Sequence, residues 1–136
     1  GMLMRAEAFN QPILNFNTSR VTTMSGMLQA TLVFNQPFAF DTSSVTDMSW
    51  MFDVALSFNQ PVTFDTSKVT NMLTMFQSTI ALNQPLTFDT SSVTNMQSMF
   101  YNTQSLSATN KLLIRCAWAG TSALASAGYG SSWAPG

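Results

Sequence analysis

The stretch "FNQPVTFDTSKVTNMLTMF", residues 58–76, is repeated with small changes along most of the chain. Its equivalents begin at Phe9, Phe34, Leu82 and Leu106, so successive starts are 25, 24, 24 and 24 residues apart. The copies share Pro12, Pro37, Pro61 and Pro85, then Val21, Val45, Val69 and Val93. Two methionine columns follow: Met24, Met48, Met72 and Met96, then Met27, Met51, Met75 and Met99. A repeat of this length is a unit too small to bury its apolar side alone, so it stacks on its neighbours. The periodicity therefore predicts a solenoid.

Within one unit, Phe58, Val62 and Phe64 alternate with Asn59, Pro61 and Thr63. Period two predicts a strand with its apolar face inward. "DTS" is turn chemistry, because an aspartate side chain accepts from the backbone two residues on. The β-branched residues of "KVTNM" predict a second short strand, and "LTMFQS" has room for about one helical turn. Val69, Met72 and Phe76 also share a helical spacing, with Ser67 as an N-cap, so a helix starting earlier is the competing reading.

Charge is scarce: five Lys and Arg, six Asp and Glu, no His, and a net charge of −1. No basic footprint for nucleic acid or an anionic membrane is visible, and no apolar run reaches the length of a spanning helix. Eleven Phe and ten Met argue against disorder. The single Cys116 excludes an intramolecular disulfide and a cysteine zinc cluster. Catalysis needs titratable groups converging on a pocket. Neither that nor a cofactor site is suggested, so the reading is of a protein that is not an enzyme, with no catalytic, cofactor or metal residues.

The unit resembles the repeats of BspA-type leucine-rich-repeat surface proteins, which read like FNQPL-NWDTS-NVTNMSGMF. The likeness spans residues 2–106, with Phe16, Phe40, Phe64 and Phe88 standing where that family often has Trp. The resemblance implies a leucine-rich-repeat-like fold and an extracellular or cell-surface location. It also implies adhesion or recognition of a protein or glycan as the role.

The combined expectation is an α/β repeat solenoid: a leucine-rich-repeat-like stack of short parallel strands with short helical turns and a C-terminal capping helix. Residues 1–8 are read as a truncated half repeat, 9–106 as four repeats of 24–25 residues, and 107–136 as a C-terminal cap and tail. In "SATNKLLIRCAWAG", Ser107 is the expected N-cap and Gly120 the C′ residue. Leu112, Leu113, Cys116 and Ala117 form the expected buried face. Tyr129 and Trp133 are expected to pin the tail to the cap.

Several polar columns are candidate sites. Asp41, Asp65 and Asp89, headed by Asn17, are read as one turn per unit in preference to a calcium ladder. Asn10, Asn35, Asn59 and Asn83 are read as bonding to the next unit's backbone. The expected binding face is the outward side of the first strand: Asn35, Asn59, Asn83, Ala39, Thr63 and Thr87. The alternative is an ice-binding or purely structural surface protein using the columns Thr22, Thr46, Thr70, Thr94 and Thr18, Thr42, Thr66, Thr90. Met2, Leu3 and Ala6 match the columns of Met27, Leu28 and Thr31, so the chain starts in mid-unit. That predicts an open apolar edge and a homodimer through it, most simply two-fold.

Overall fold

The computed structural model describes residues 3–13 and 16–129. Four rungs lie one on another: rung 1 is 9–33, rung 2 is 34–57, rung 3 is 58–81 and rung 4 is 82–105. Two short helices follow, α1 at Ala108–Ala117 and α2 at Ser122–Ser126. Each rung is built almost wholly of coil and turns. Among the described residues strand pairing is confined to isolated parallel bridges: Ile13 with Phe38, and the chain Thr23, Asp47, Asn71, Asn95.

This corrects the expected α/β solenoid of short parallel strands and helical turns. The "FNQPVTFD" segment does not form a strand because its proline has no N–H to give a ladder. The "LTMFQS" segment does not form a helical turn because left-handed residues interrupt it twice per rung. Gly26, Trp50, Thr74 and Ser98 have φ of 64°, 60°, 52° and 54°. Ala30, Val54, Ser78 and Asn102 have 57°, 57°, 54° and 61°. Such conformations cost a non-glycine residue on the order of 1 kcal/mol each, so they persist only where neighbouring contacts offset them.

The offset is a set of aligned peptide groups. Met48, Trp50, Phe52 and Val54 donate their N–H groups to the carbonyls of Asn71, Leu73, Met75 and Gln77 in rung 3. Met72, Thr74, Phe76 and Ser78 repeat this toward Asn95, Gln97, Met99 and Tyr101 in rung 4. Met24, Gly26, Leu28 and Ala30 do so toward Asp47, Ser49, Met51 and Asp53. The intervening amides turn back into their own rung, as Met75 does to Met72 and Gln77 to Thr74. Four rows of peptides thus run along the stack, every carbonyl facing the rung before and every N–H the rung after. Peptide dipoles of about 3.5 D add head to tail in such rows. The carbonyl end lies at rung 1.

Side chains between the two halves of each rung fill one core. All eight column methionines are buried, as are Val45, Val69 and Val93. Phenylalanines stack from rung to rung: Phe34 on Phe58 at 6.1 Å, Phe52 on Phe76 at 5.2 Å and Phe76 on Phe100 at 5.9 Å.

The last rung is covered by Trp118, whose ring lies 5.2 Å from Phe88 and 5.9 Å from Phe100. Its indole N–H donates to the Phe88 carbonyl at 3.0 Å. Ser107 caps α1 by accepting from the Asn110 N–H at 3.1 Å. The helix buries Ile114, which with Trp118 one turn later sets its rotation. Leu112, Leu113, Cys116 and Ala117, the expected buried face, are therefore exposed. The Cys116 thiol is free at the surface instead of packed in the core. The helix ends at Trp118, not through a left-handed Gly120. Tyr129 packs edge-on against Phe100 and accepts its N–H at 3.0 Å; Trp133 lies outside the described residues.

Candidate functional site

The candidate face divides into two kinds of residue. Asn35 Oδ1 accepts from the Asn59 N–H at 2.9 Å and the Gln60 amide at 3.1 Å. Asn59 Oδ1 does the same for Asn83 at 2.8 Å and Gln84 at 3.1 Å. Asn83 Oδ1 meets the cap instead, accepting from the Ser107 N–H and the Asn110 amide. These amides replace the backbone ladder that proline denies this segment, so Asn35, Asn59 and Asn83 are committed to the fold. Ala39, Thr63 and Thr87 are exposed, beside the equally exposed Pro37, Pro61 and Pro85. Thr87 borders a hollow of about 320 Å³ shared with Asp89, Ser91, Ala117 and Thr121.

The aspartates at the end of this segment make turns. Asp41, Asp65 and Asp89 each accept the N–H of the serine two residues on, and Asn17 does so for Ser19. The serine hydroxyl bonds the same oxygen at Asp41 and Asp65. Serine hydroxyl and then backbone donation hold all three carboxyls below the usual aspartate range. Among the described residues no three His, Cys, Asp or Glu side chains are gathered as a metal site requires.

The threonine columns differ from each other. Thr18, Thr42 and Thr66 are buried and donate their hydroxyls to the carbonyls of Asp41, Asp65 and Asp89 in the next rung. Thr90, with no further rung to reach, pairs with Thr121 of the cap. Thr22, Thr46, Thr70 and Thr94 are exposed.

Two polar features escaped sequence reasoning. One is a second turn column, in which Asp47, Asn71 and Asn95 accept the N–H two residues on at 2.9–3.0 Å. The "TNM" and "TDM" spelling carried that signal, since Asn and Asp both favour such turns. The other is Asp53, 4% exposed, in a column whose other members are Gln29, Gln77 and Tyr101. Its Oδ2 accepts from the Gln29 amide at 2.9 Å, whereas its buried Oδ1 has no partner among the described residues. Burial pushes this carboxyl above its ordinary value, against the Gln29 hydrogen bond.

A further hollow lies at the carbonyl end of the stack. It encloses about 340 Å³ between Phe16, Val21, Met24, Met27 and Phe40, with Asn17, Thr18, Thr23 and Ser25 at its polar edge. Phe16 is 53% exposed there, in contrast to its buried counterparts Phe64 and Phe88. No helix among the described residues is long and apolar enough to cross a membrane.

No curated protein and no solved structure matches the chain. A family model does match, over residues 1–63 and again over 37–118, the two matches overlapping within the repeats. The repeated unit, and most of the chain with it, thus belongs to the family described as "Mycoplasma protein of unknown function, DUF285".

Proposed function

We propose that the protein is a non-catalytic repeat scaffold that recognises a protein or glycan at a cell surface. The contact would run through the exposed column of Ala39, Thr63 and Thr87. One observation carries this reading: the asparagine, glutamine and inner threonine columns are spent on bonds between rungs, and this small-residue column is not. Its neighbours are rigid prolines and a row of turn-forming aspartates, a surface that loses little side-chain entropy when covered. The location follows from the resemblance of the repeats to BspA-type surface proteins. A glycan array and a cell-binding assay with the double variant Thr63→Arg, Thr87→Arg test it. Binding by the parent and its loss in the variant, at unchanged thermal unfolding, is the expected result. Binding that survives both arginines would remove this face from the reading.

The exposed column of Thr22, Thr46, Thr70 and Thr94 favours a second reading, a water-ordering surface of the ice-binding kind. Thermal hysteresis in a supercooled solution separates the two readings.

A further inference from the structure

The hollow between rung 4 and the cap arises because the cap replaces a further rung only in part. Thr18, Thr42 and Thr66 each donate to an aspartate carbonyl of the next rung, whereas Thr90 meets the Thr121 hydroxyl at 2.6 Å. Thr121 thus stands where another Asp-Ser turn would begin, and beside it the chain presents Gly120 and Ala117. About 320 Å³ is left between these residues, Thr87 and Asp89.

Acceptors dominate its walls. The Ser91 N–H and hydroxyl both go to the Asp89 carboxylate, the N–H at 2.8 Å, and a carboxylate can accept more than these two. The hydroxyls of Thr90 and Thr121 are turned to each other and to the Thr90 carbonyl. Helix α1 brings its carbonyl end. Among the described residues the Arg115, Cys116 and Ala117 carbonyls accept no backbone N–H, and such an end carries partial negative charge. Asp65 has Lys68 acting on it, but Ser92 holds that place beside Asp89. No basic side chain among the described residues lines the hollow; Arg115 borders a different one, with Leu124 and Ala125.

We infer that this hollow binds an arginine side chain of a protein partner. A guanidinium is planar, always charged and rich in donors, so it can reach the carboxylate, the threonine oxygens and the helix carbonyls together. An ammonium is compact and more strongly hydrated, and a calcium ion wants about six to eight oxygens where one carboxylate stands. The inference rests on the recognition reading only in taking the partner to be a protein. It makes the Thr87 end of that face a pocket for one charged anchor.

The probe is N-acetylarginine methylamide, titrated into the full isotope-labelled chain and followed by amide chemical shifts. Shifts at Thr87, Ser91, Ala117 and Thr121 should saturate with a Kd on the order of 1 mM, the range for so small a ligand. The citrulline analogue, a neutral isostere, should bind at least tenfold more weakly. Asp89→Asn should weaken arginine binding as much while keeping its turn, since Asn17 makes the same turn to Ser19. Gly120→Leu should also weaken it, because a Cβ there meets nothing within 4 Å and the backbone is not left-handed. The inference is overturned by no saturable shift, by equal binding of the citrulline or lysine analogue, or by full binding in Asp89→Asn. Probe binding with these controls upholds it even where cell binding survives Thr63→Arg and Thr87→Arg, a result that removes only the face reading.

Discussion

Between Phe58 and Thr66 the rungs are tied together by side chains, whereas between Asn71 and Ser78 they are tied by peptide groups. In the first segment Asn59 and Gln60 reach the neighbouring rung, and Thr66 donates to Asp89. In the second, Met72, Thr74, Phe76 and Ser78 give their own N–H groups to rung 4. The difference begins with Pro61, which has no N–H to contribute. It teaches that sequence identity matters for stacking where side chains make the bonds. Where the backbone makes them, the residue matters mainly through its φ and its packing.

The shared core should be indifferent to that division, which sets the largest expected effect. Phe58→Ala in the side-chain half and Phe76→Ala in the peptide half should each cost about 3–5 kcal/mol. Both rings are fully buried and stacked, Phe58 at 4.4 Å from Phe52 and Phe76 at 5.2 Å. Urea unfolding measures both; a small cost at one alone would mean the halves do not share a core.

The next effect separates the halves. Asn59→Ala strands the Asn83 N–H, leaves the Gln84 amide only the Asn59 backbone carbonyl, and should cost about 1–3 kcal/mol. Gln77→Ala, on a rung-forming peptide whose bonds are made by backbone, should stay within about 0.5 kcal/mol. Equal costs would dissolve the distinction.

A smaller effect should be stabilising. Thr74 holds a left-handed φ of 52° and a buried hydroxyl without a partner among the described residues. Rung 1 places Gly26 in the same column. Thr74→Gly should raise stability by about 1 kcal/mol, as relief of both penalties outweighs the lost methyl contact. Destabilisation would mean that the side chain, not the peptide, fixes this column.

The smallest effect depends on pH. The raised Asp53 carboxyl lets the unfolded chain ionise first as pH rises. Stability from this site is therefore highest below the ordinary aspartate pKa and falls until the folded carboxyl has also ionised. Asp53→Gln should abolish that fall and add less than about 1 kcal/mol at neutral pH. The lowered carboxyls of Asp41, Asp65 and Asp89 act oppositely: their contribution holds above the ordinary pKa and is lost as pH falls through the folded one. Stability curves of parent and Asp53→Gln over the acid range should diverge only as Asp53 ionises.

What was legible in the sequence was the phase of the columns. Met24, Met48, Met72 and Met96 fall inward together, and Asp41, Asp65 and Asp89 each find a serine two residues on, because both depend on local spacing. The backbone path was not legible. Among the described left-handed positions of the four rungs only Gly26 is a glycine; Val54, a β-branched residue at 57°, advertises the opposite preference. The rotation of α1 was hidden for a related reason. Helical spacing allowed Leu112, Leu113 and Cys116 to be the inner face, and only the fit of Trp118 on Phe88 and Phe100 decides for Ile114. Of the six candidate face residues, the three asparagines make the bonds to the next unit's backbone that the reading of their column expects. The remaining three are the surface on which the proposed recognition rests.

The central claim is that rungs are joined by aligned peptide rows, and scalar coupling through hydrogen bonds tests it most directly. A long-range correlation experiment on labelled protein should connect the Phe52 nitrogen to the Met75 carbonyl carbon and the Phe76 nitrogen to that of Met99. Couplings from Phe52 to Met48 and from Phe76 to Met72, the spacing of a helix, would contradict it.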